Sequence, residues 1–171
     1  DPMARVLIWS AAWQATRNAQ MKARDFVTLV ESGIAAETEI GVVQRVLLQA
    51  TTAIDSYADP EWAAQTGRPG FASRLLELAR DAESGSDHQL AFVNTLLAGQ
   101  LNADQVPVIR GLLDGHDPAS VGLDGLAVDT DLRWKLVRAL ATVGAIDSDD
   151  ASATPVIDAD EVGEIGVGGH G

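Results

Sequence analysis

Residues 4–34 read ARVLIWSAAWQATRNAQMKARDFVTLVESGI, and they set Trp9, Trp13, Arg17 and Met21 four residues apart. Side chains at i and i+4 share one helical face, so this spacing describes a helix stripe and not a strand. Residues 3–16 are expected to form the first helix, with apolar Val6, Leu7, Ile8, Trp9, Ala12 and Trp13. Pro2 suits its first turn, where a missing N–H costs nothing. A second helix is expected from about Asn18 to Ser32, carrying Met21, Ala23, Phe26, Val27, Leu29 and Val30, with Gly33 as its C-terminal cap.

The same pattern continues outward. Thr38 and Glu39 open a third helix that runs through Val43, Val46, Leu47, Ala50 and Ile54 to Tyr57, and Asp59-Pro60 signals its end. Gly67, Pro69 and Gly70 read as a loop before a fourth helix over 71–83, with Leu75, Leu76, Leu78 and Ala79 inward. Ser86-Asp87 caps a fifth helix from His88 to Ala98, and Asn102 or Asp104 starts a sixth through Val108, Ile109, Leu112 and Leu113. Residues 114–128 are rich in Gly and Asp and read as loop; Asp129 and Thr130 then cap a seventh helix over Leu132–Val143. Roughly seven helices with short links and no strand pattern imply an all-α fold. Helix pairs recur at about 40 residues, the period of HEAT and armadillo units, so an irregular α-solenoid of antiparallel helices is expected. The reading divides the chain into a helical-repeat domain over 1–147 and an acidic, Gly-rich tail over 148–171, expected to be poorly ordered.

Composition narrows the function classes. A 46% hydrophobic content is enough for a packed core. The net charge of −13 opposes nucleic-acid binding, which needs clustered Lys and Arg, and opposes an anionic membrane surface. It would steer in a basic partner, though acidic surfaces also simply keep proteins soluble. With no cysteine, disulfides and thiolate chemistry are excluded. No segment has the apolar length of a membrane span and no signal-peptide pattern opens the chain, so a cytoplasmic location is expected.

Catalytic signatures are missing. His88, His116 and His170 include no i, i+4 pair, and H-E-x-x-H, G-x-S-x-G and Walker A are absent; GVGGHG at 166–171 fits G-x-G-x-x-G in letters only and is a weak phosphate signal. His88, in Ser-Asp-His-Gln at a helix start, fits a hydrogen-bonded or capping role better than a ligand role. Asp147, Asp149 and Asp150 lack the spacing of a calcium loop. No metal ligand and no catalytic residue is therefore assigned.

Two constellations remain. In the first, Trp9 and Trp13 pack between helices and Arg17 lies across an aromatic face. The functional alternative has Arg17 reaching into a shared cavity to hold a peptide carboxylate through its planar fork. The second is Asp129, Asp131, Arg133 and Trp134 in VDTDLRW. There Arg133 is expected in an internal ion pair that pins the preceding loop, with contact to a neighbouring domain as the alternative. Arg17 and Arg133 are thus the candidate substrate-binding residues.

These residues also carry a family likeness. RVLIWSAAWQATRNAQMKARDFVTLVESGI (5–34), IGVVQRVLLQATTAIDSYADPEW (40–62), GSDHQLAF (85–92) and GLAVDTDLRWKLVRALATVGAID (125–147) resemble, in order, the C-terminal helical region of bacterial aminopeptidase N of the actinobacterial type. The corresponding domain of endoplasmic-reticulum aminopeptidases is similar. The likeness covers about residues 4–147, and four segments in the correct order are more specific than any one of them. These enzymes are zinc metallopeptidases that remove N-terminal amino acids from peptides. Their catalytic domain carries H-E-x-x-H, a downstream Glu and G-A-M-E-N, none of which carries over to this sequence.

The resemblance implies a capping domain that shapes and limits access to the active-site cleft and is not catalytic alone. Zinc would belong to the parent enzyme. Its implied partners are the catalytic domain of the same polypeptide and the peptide substrate, with self-association of an isolated piece also expected. The stretch from Thr154-Pro155 to the Gly-rich end departs from the family's helical continuation. An independent helical scaffold that binds a protein or peptide partner is the alternative.

Overall fold

The computed structural model describes residues 1–146; the acidic tail over 148–171, with Asp149, Asp150 and His170, lies outside the described residues. Within them the fold is all-α. Its helices are α1 (Pro2–Arg17), α2 (Ala23–Gly33), α3 (Ile40–Thr52), α4 (Pro60–Trp62), α5 (Arg68–Asp81), α6 (Asp87–Ala98), α7 (Val106–Leu113) and α8 (Thr130–Thr142). α3 continues into a π-helical turn over Ala53–Tyr57, and a second π-turn over Ala63–Gly67 joins α4 to α5 without a break. Counted as rods, the described residues contain the expected seven.

Local chemistry sets the boundaries. Asp1 accepts from the Met3 N–H at 2.9 Å and caps α1, with Pro2 at its first position. Asp59, Ser86 and Asp129 cap α4, α6 and α8 through the N–H groups of Trp62, Gln89 and Leu132. Asn102 and Gln105 form a reciprocal capping box ahead of α7: Asn102 Oδ1 accepts from the Gln105 N–H at 3.2 Å, and Gln105 Oε1 accepts from the Asn102 N–H at 3.0 Å.

Two expected boundaries are corrected. The second helix starts at Ala23, not Asn18, because Ala19 takes φ 57° and turns the chain between α1 and α2. The stretch holding Gly67, Pro69 and Gly70 is helical and not a loop. Pro69 sits at the start of α5, immediately after the π-turn, where a proline N–H is not missed. A Cβ on Gly67 would come within 2.7 Å of the Trp62 ring, so glycine is there for closeness and not as a breaker.

The core is one cluster. Phe26, Val30 and Ile34 from α2 and its following turn, Val43 and Leu47 from α3, Leu75 from α5, Leu96 from α6, Ile109 and Leu112 from α7, and Leu136 and Leu140 from α8 are all buried in it. As expected, Leu75, Leu76, Leu78 and Ala79 point inward. Consecutive helices pack as neighbours, α1 on α2, α2 on α3, α5 on α6 and α7 on α8, while α6 also packs against α3 and α8. α6 is therefore the central element.

The 114–128 segment contains a short 3₁₀ turn over Pro118–Val121 and is stitched to the rest of the fold. Arg80 Nε donates to the Val121 carbonyl at 3.0 Å. The buried Gln89 accepts from the Gly85 N–H and donates to the Asp124 carbonyl. No helix of the described residues is long and apolar enough to cross a membrane.

Candidate functional site

Two polar arrangements stand out from this apolar frame. The first lies under α1. Glu37, in the link between α2 and α3, has a fully buried side chain. Its Oε2 accepts from the Trp9 indole Nε1 at 3.2 Å, and its Oε1 accepts from the Thr38 and Glu39 N–H groups at 3.0 and 3.4 Å. Arg5 Nε lies 3.5 Å from Oε2. Burial pushes this carboxyl up, but the Glu39 N–H, the Trp9 indole, the Thr38 N–H and the Arg5 charge together hold it below the usual carboxylate value of 4.5. His88 reaches the same link from α6, with Nε2 3.1 Å from the Glu37 carbonyl. A carbonyl only accepts, so His88 carries its proton on Nε2. The arrangement ties α1, the α2–α3 link and α6 together, and its groups are turned toward one another.

The second arrangement is a cavity of about 380 Å³, lined by Thr51, Ile54, Asp55, Arg68, Phe71, Ala72, Leu75, Thr95, Leu96, Ala98, Gly99, Gln100 and Thr142. That volume lies in the range of small-ligand sites, about 300–1,000 Å³. Its floor is apolar, from Ile54, Phe71, Leu75 and Leu96. The first π-turn contributes Asp55 to its lining, and Arg68 follows directly on the second. Arg68 Nε and Nη2 both donate to Asp55 Oδ1, at 3.1 and 2.9 Å. Both side chains are more than a third exposed, so the pair adds little to stability, within about 1 kcal/mol. π-turns cost regular hydrogen bonding and recur at functional sites. This cavity is accordingly the candidate binding site.

Comparison with known proteins places the chain. A family described as the ERAP1-like C-terminal domain matches residues 1–156. The chain belongs to this family. It is also 39% identical over 168 residues to Aminopeptidase N of Streptomyces lividans, a match covering 96% of this chain and 19% of the relative. The chain thus spans about a fifth of that relative's length. Both matches run past residue 147.

In this ERAP1-like domain the two sequence candidates are far less built than the cavity. Both indoles of the first constellation do pack between helices: Trp9 is buried, and Trp13 lies tilted 5.3 Å from Phe26 and edge-on 5.8 Å from Tyr57. Arg17 does not lie across them; it is exposed at the last position of α1, with no hydrogen bond or ion pair among the described residues. Among the described residues Arg133 forms no ion pair either. It donates from Nη1 to the Leu113 carbonyl at 3.1 Å and so holds the end of α7, while Asp131 pairs with Lys135 at 2.8 Å and Asp129 caps α8. Neither arginine lines the cavity.

Asp55 and Arg68 escaped the sequence reading because they are thirteen residues apart and meet only through two irregular turns. The Gly67–Gly70 cluster was their one sequence signal, and it pointed to a loop. Among the described residues no three His, Asp or Glu side chains gather as a metal site.

Proposed function

We propose that this chain is the distal part of the C-terminal domain of a zinc aminopeptidase, over residues 1–147, and that it walls and caps the active-site cleft. The observation that carries this reading is family membership across residues 1–156, joined to 39% identity with an aminopeptidase N over nearly the whole chain. The absence of H-E-x-x-H from the sequence fits a division of labour. Water activation needs a rigid metal site, supplied by zinc in the catalytic part of the parent polypeptide. Selection by length needs only a bowl of the right size, and neighbouring helices packed in sequence, α1 on α2, α2 on α3, α5 on α6 and α7 on α8, suit a wall of that kind. The partners under this reading are the catalytic domain of the same polypeptide and the far end of a peptide substrate.

Deleting this region from the parent enzyme tests the reading through substrate length. The expected result is that cleavage of two- and three-residue substrates survives while the preference among longer peptides flattens. An unchanged length profile would contradict a capping role.

A further inference from the structure

The cavity between the first π-turn, α5, α6 and the end of α8 has an unequal hydrogen-bonding inventory. Three threonines line it, and each has already spent its donor inside its own helix. Thr51 donates to the Leu47 carbonyl at 3.0 Å, Thr95 to the Ala91 carbonyl at 2.8 Å and Thr142 to the Arg138 carbonyl at 2.9 Å. Each hydroxyl oxygen keeps lone pairs and no free proton. Asp55 adds its Oδ2, since both Arg68 donors go to Oδ1.

α6 ends at Ala98 and α8 at Thr142, both on the cavity wall. Helix C-termini carry partial negative charge and carbonyls short of intrahelical donors; at α6 the Gly99 N–H takes only the Leu96 carbonyl. Against these acceptors stand the exposed Gln100 amide and the three Arg68 N–H groups, on Nη1 and Nη2, that Asp55 does not take, while Asp55 balances the Arg68 charge.

We propose that this cavity binds an alkyl ammonium group, its carbon chain against Ile54, Phe71, Leu75 and Leu96 and its –NH₃⁺ among the Thr51, Thr95 and Thr142 oxygens and Asp55 Oδ2. An ammonium brings three donors and no acceptor, which matches an acceptor-rich wall. A long apolar stem with a charged head is how lysine covers apolar surface while keeping its head among polar groups. The net charge of −13 draws such a cation toward the protein as a whole. A free amine and a lysine side chain share this chemistry. That the lysine comes from a peptide held in the cleft rests on the aminopeptidase reading; the ammonium preference does not.

The test uses this 171-residue chain, followed by amide NMR while n-hexylammonium, n-hexanol and n-hexanoate are titrated in. Hexylammonium is expected to bind at least tenfold more tightly than the other two, with shifts centred on Thr51, Leu75, Leu96 and Gly99. Asp55→Asn should weaken it at least fivefold and strengthen hexanoate, because it unmasks Arg68. Thr95→Val, which keeps shape and removes an acceptor, should weaken it about threefold. Ala72→Phe should abolish binding by filling the floor; if that variant fails to fold, Asp55→Asn and Thr95→Val decide.

Equal binding of hexanol and hexylammonium would reduce the site to an apolar hole and overturn the proposal. Preference for hexanoate, or no binding of any probe up to on the order of 10 mM, would overturn it as well. A second arm compares acetyl-Ala-Lys-Ala-amide with its norleucine counterpart. Binding of the lysine peptide alone supports a peptide source, and failure of both beside successful hexylammonium assigns the site to a free amine. Because no catalysis is read, these outcomes stand apart from the fate of the capping reading.

Discussion

At the scale of single residues, Glu37 does more than its position in a link suggests. Its carboxylate is buried, takes three hydrogen bonds and faces Arg5. Removing one side of a buried charge arrangement leaves donors stranded, so Glu37→Ala should cost about 3 kcal/mol of unfolding free energy, read by urea denaturation at pH 7. Its folded value lies below the ordinary 4.5. The stabilisation is therefore complete above about pH 4.5 and is lost as pH falls through the lower, folded value. Glu37→Ala should accordingly flatten the acid limb of the stability curve, and an unchanged limb would show that other carboxylates govern it. Glu31 runs the other way: burial raises it, partly offset by the Arg74 charge, so its ionisation costs stability above the same pH.

Elements differ in how much of them the sequence discloses. Caps are local, so Ser86 and Asp129 announce α6 and α8 within three residues of the N–H groups they accept from. Core faces are periodic, so Leu75, Leu76, Leu78 and Ala79 are legible too. The 60–70 stretch is not, because Gly67, Pro69 and Gly70 mark a loop unless one knows that a π-turn precedes the proline and that Trp62 fills the space beside Gly67. The cavity inherits that blindness, since Asp55 and Arg68 depend on both π-turns. Arg133 was singled out for its neighbours in VDTDLRW, yet its partner is a backbone carbonyl at the end of α7, which no side-chain pattern reveals.

The loop over 122–126 was legible as loop but not as a docked one. Gly125 has φ 76°, and a Cβ there would sit 2.2 Å from Ser84 Oγ and 2.6 Å from the Gly85 nitrogen. Gly125→Ala combines backbone strain with a steric clash and should cost more than about 2 kcal/mol, measured as a shift in the urea midpoint. A neutral result would mean that this crossing of loops is not tight.

On the scale of the whole molecule, α1 presents Met3, Leu7 and Ile8 to solvent, each more than half exposed, while Trp9 faces inward. Helices that end a stack shed such faces or cover them. In a chain spanning a fifth of its relative's length, this face is expected to drive self-association of the isolated protein. Leu7→Glu with Ile8→Lys should move the sedimentation profile toward monomer without changing helicity; a wild-type chain that stays monomeric at high concentration would contradict the expectation.

The claim that the whole fold serves as a non-catalytic cap is tested most directly by hydrolysis of alanyl- and leucyl-coumarin substrates. The purified chain is assayed with zinc, alone and after addition of the separately made catalytic part. The account predicts no hydrolysis by the chain alone and a changed rate or peptide-length preference once the two are combined. Hydrolysis by the chain alone that survives controls for contaminating peptidase, or a catalytic part wholly indifferent to the chain, would contradict it.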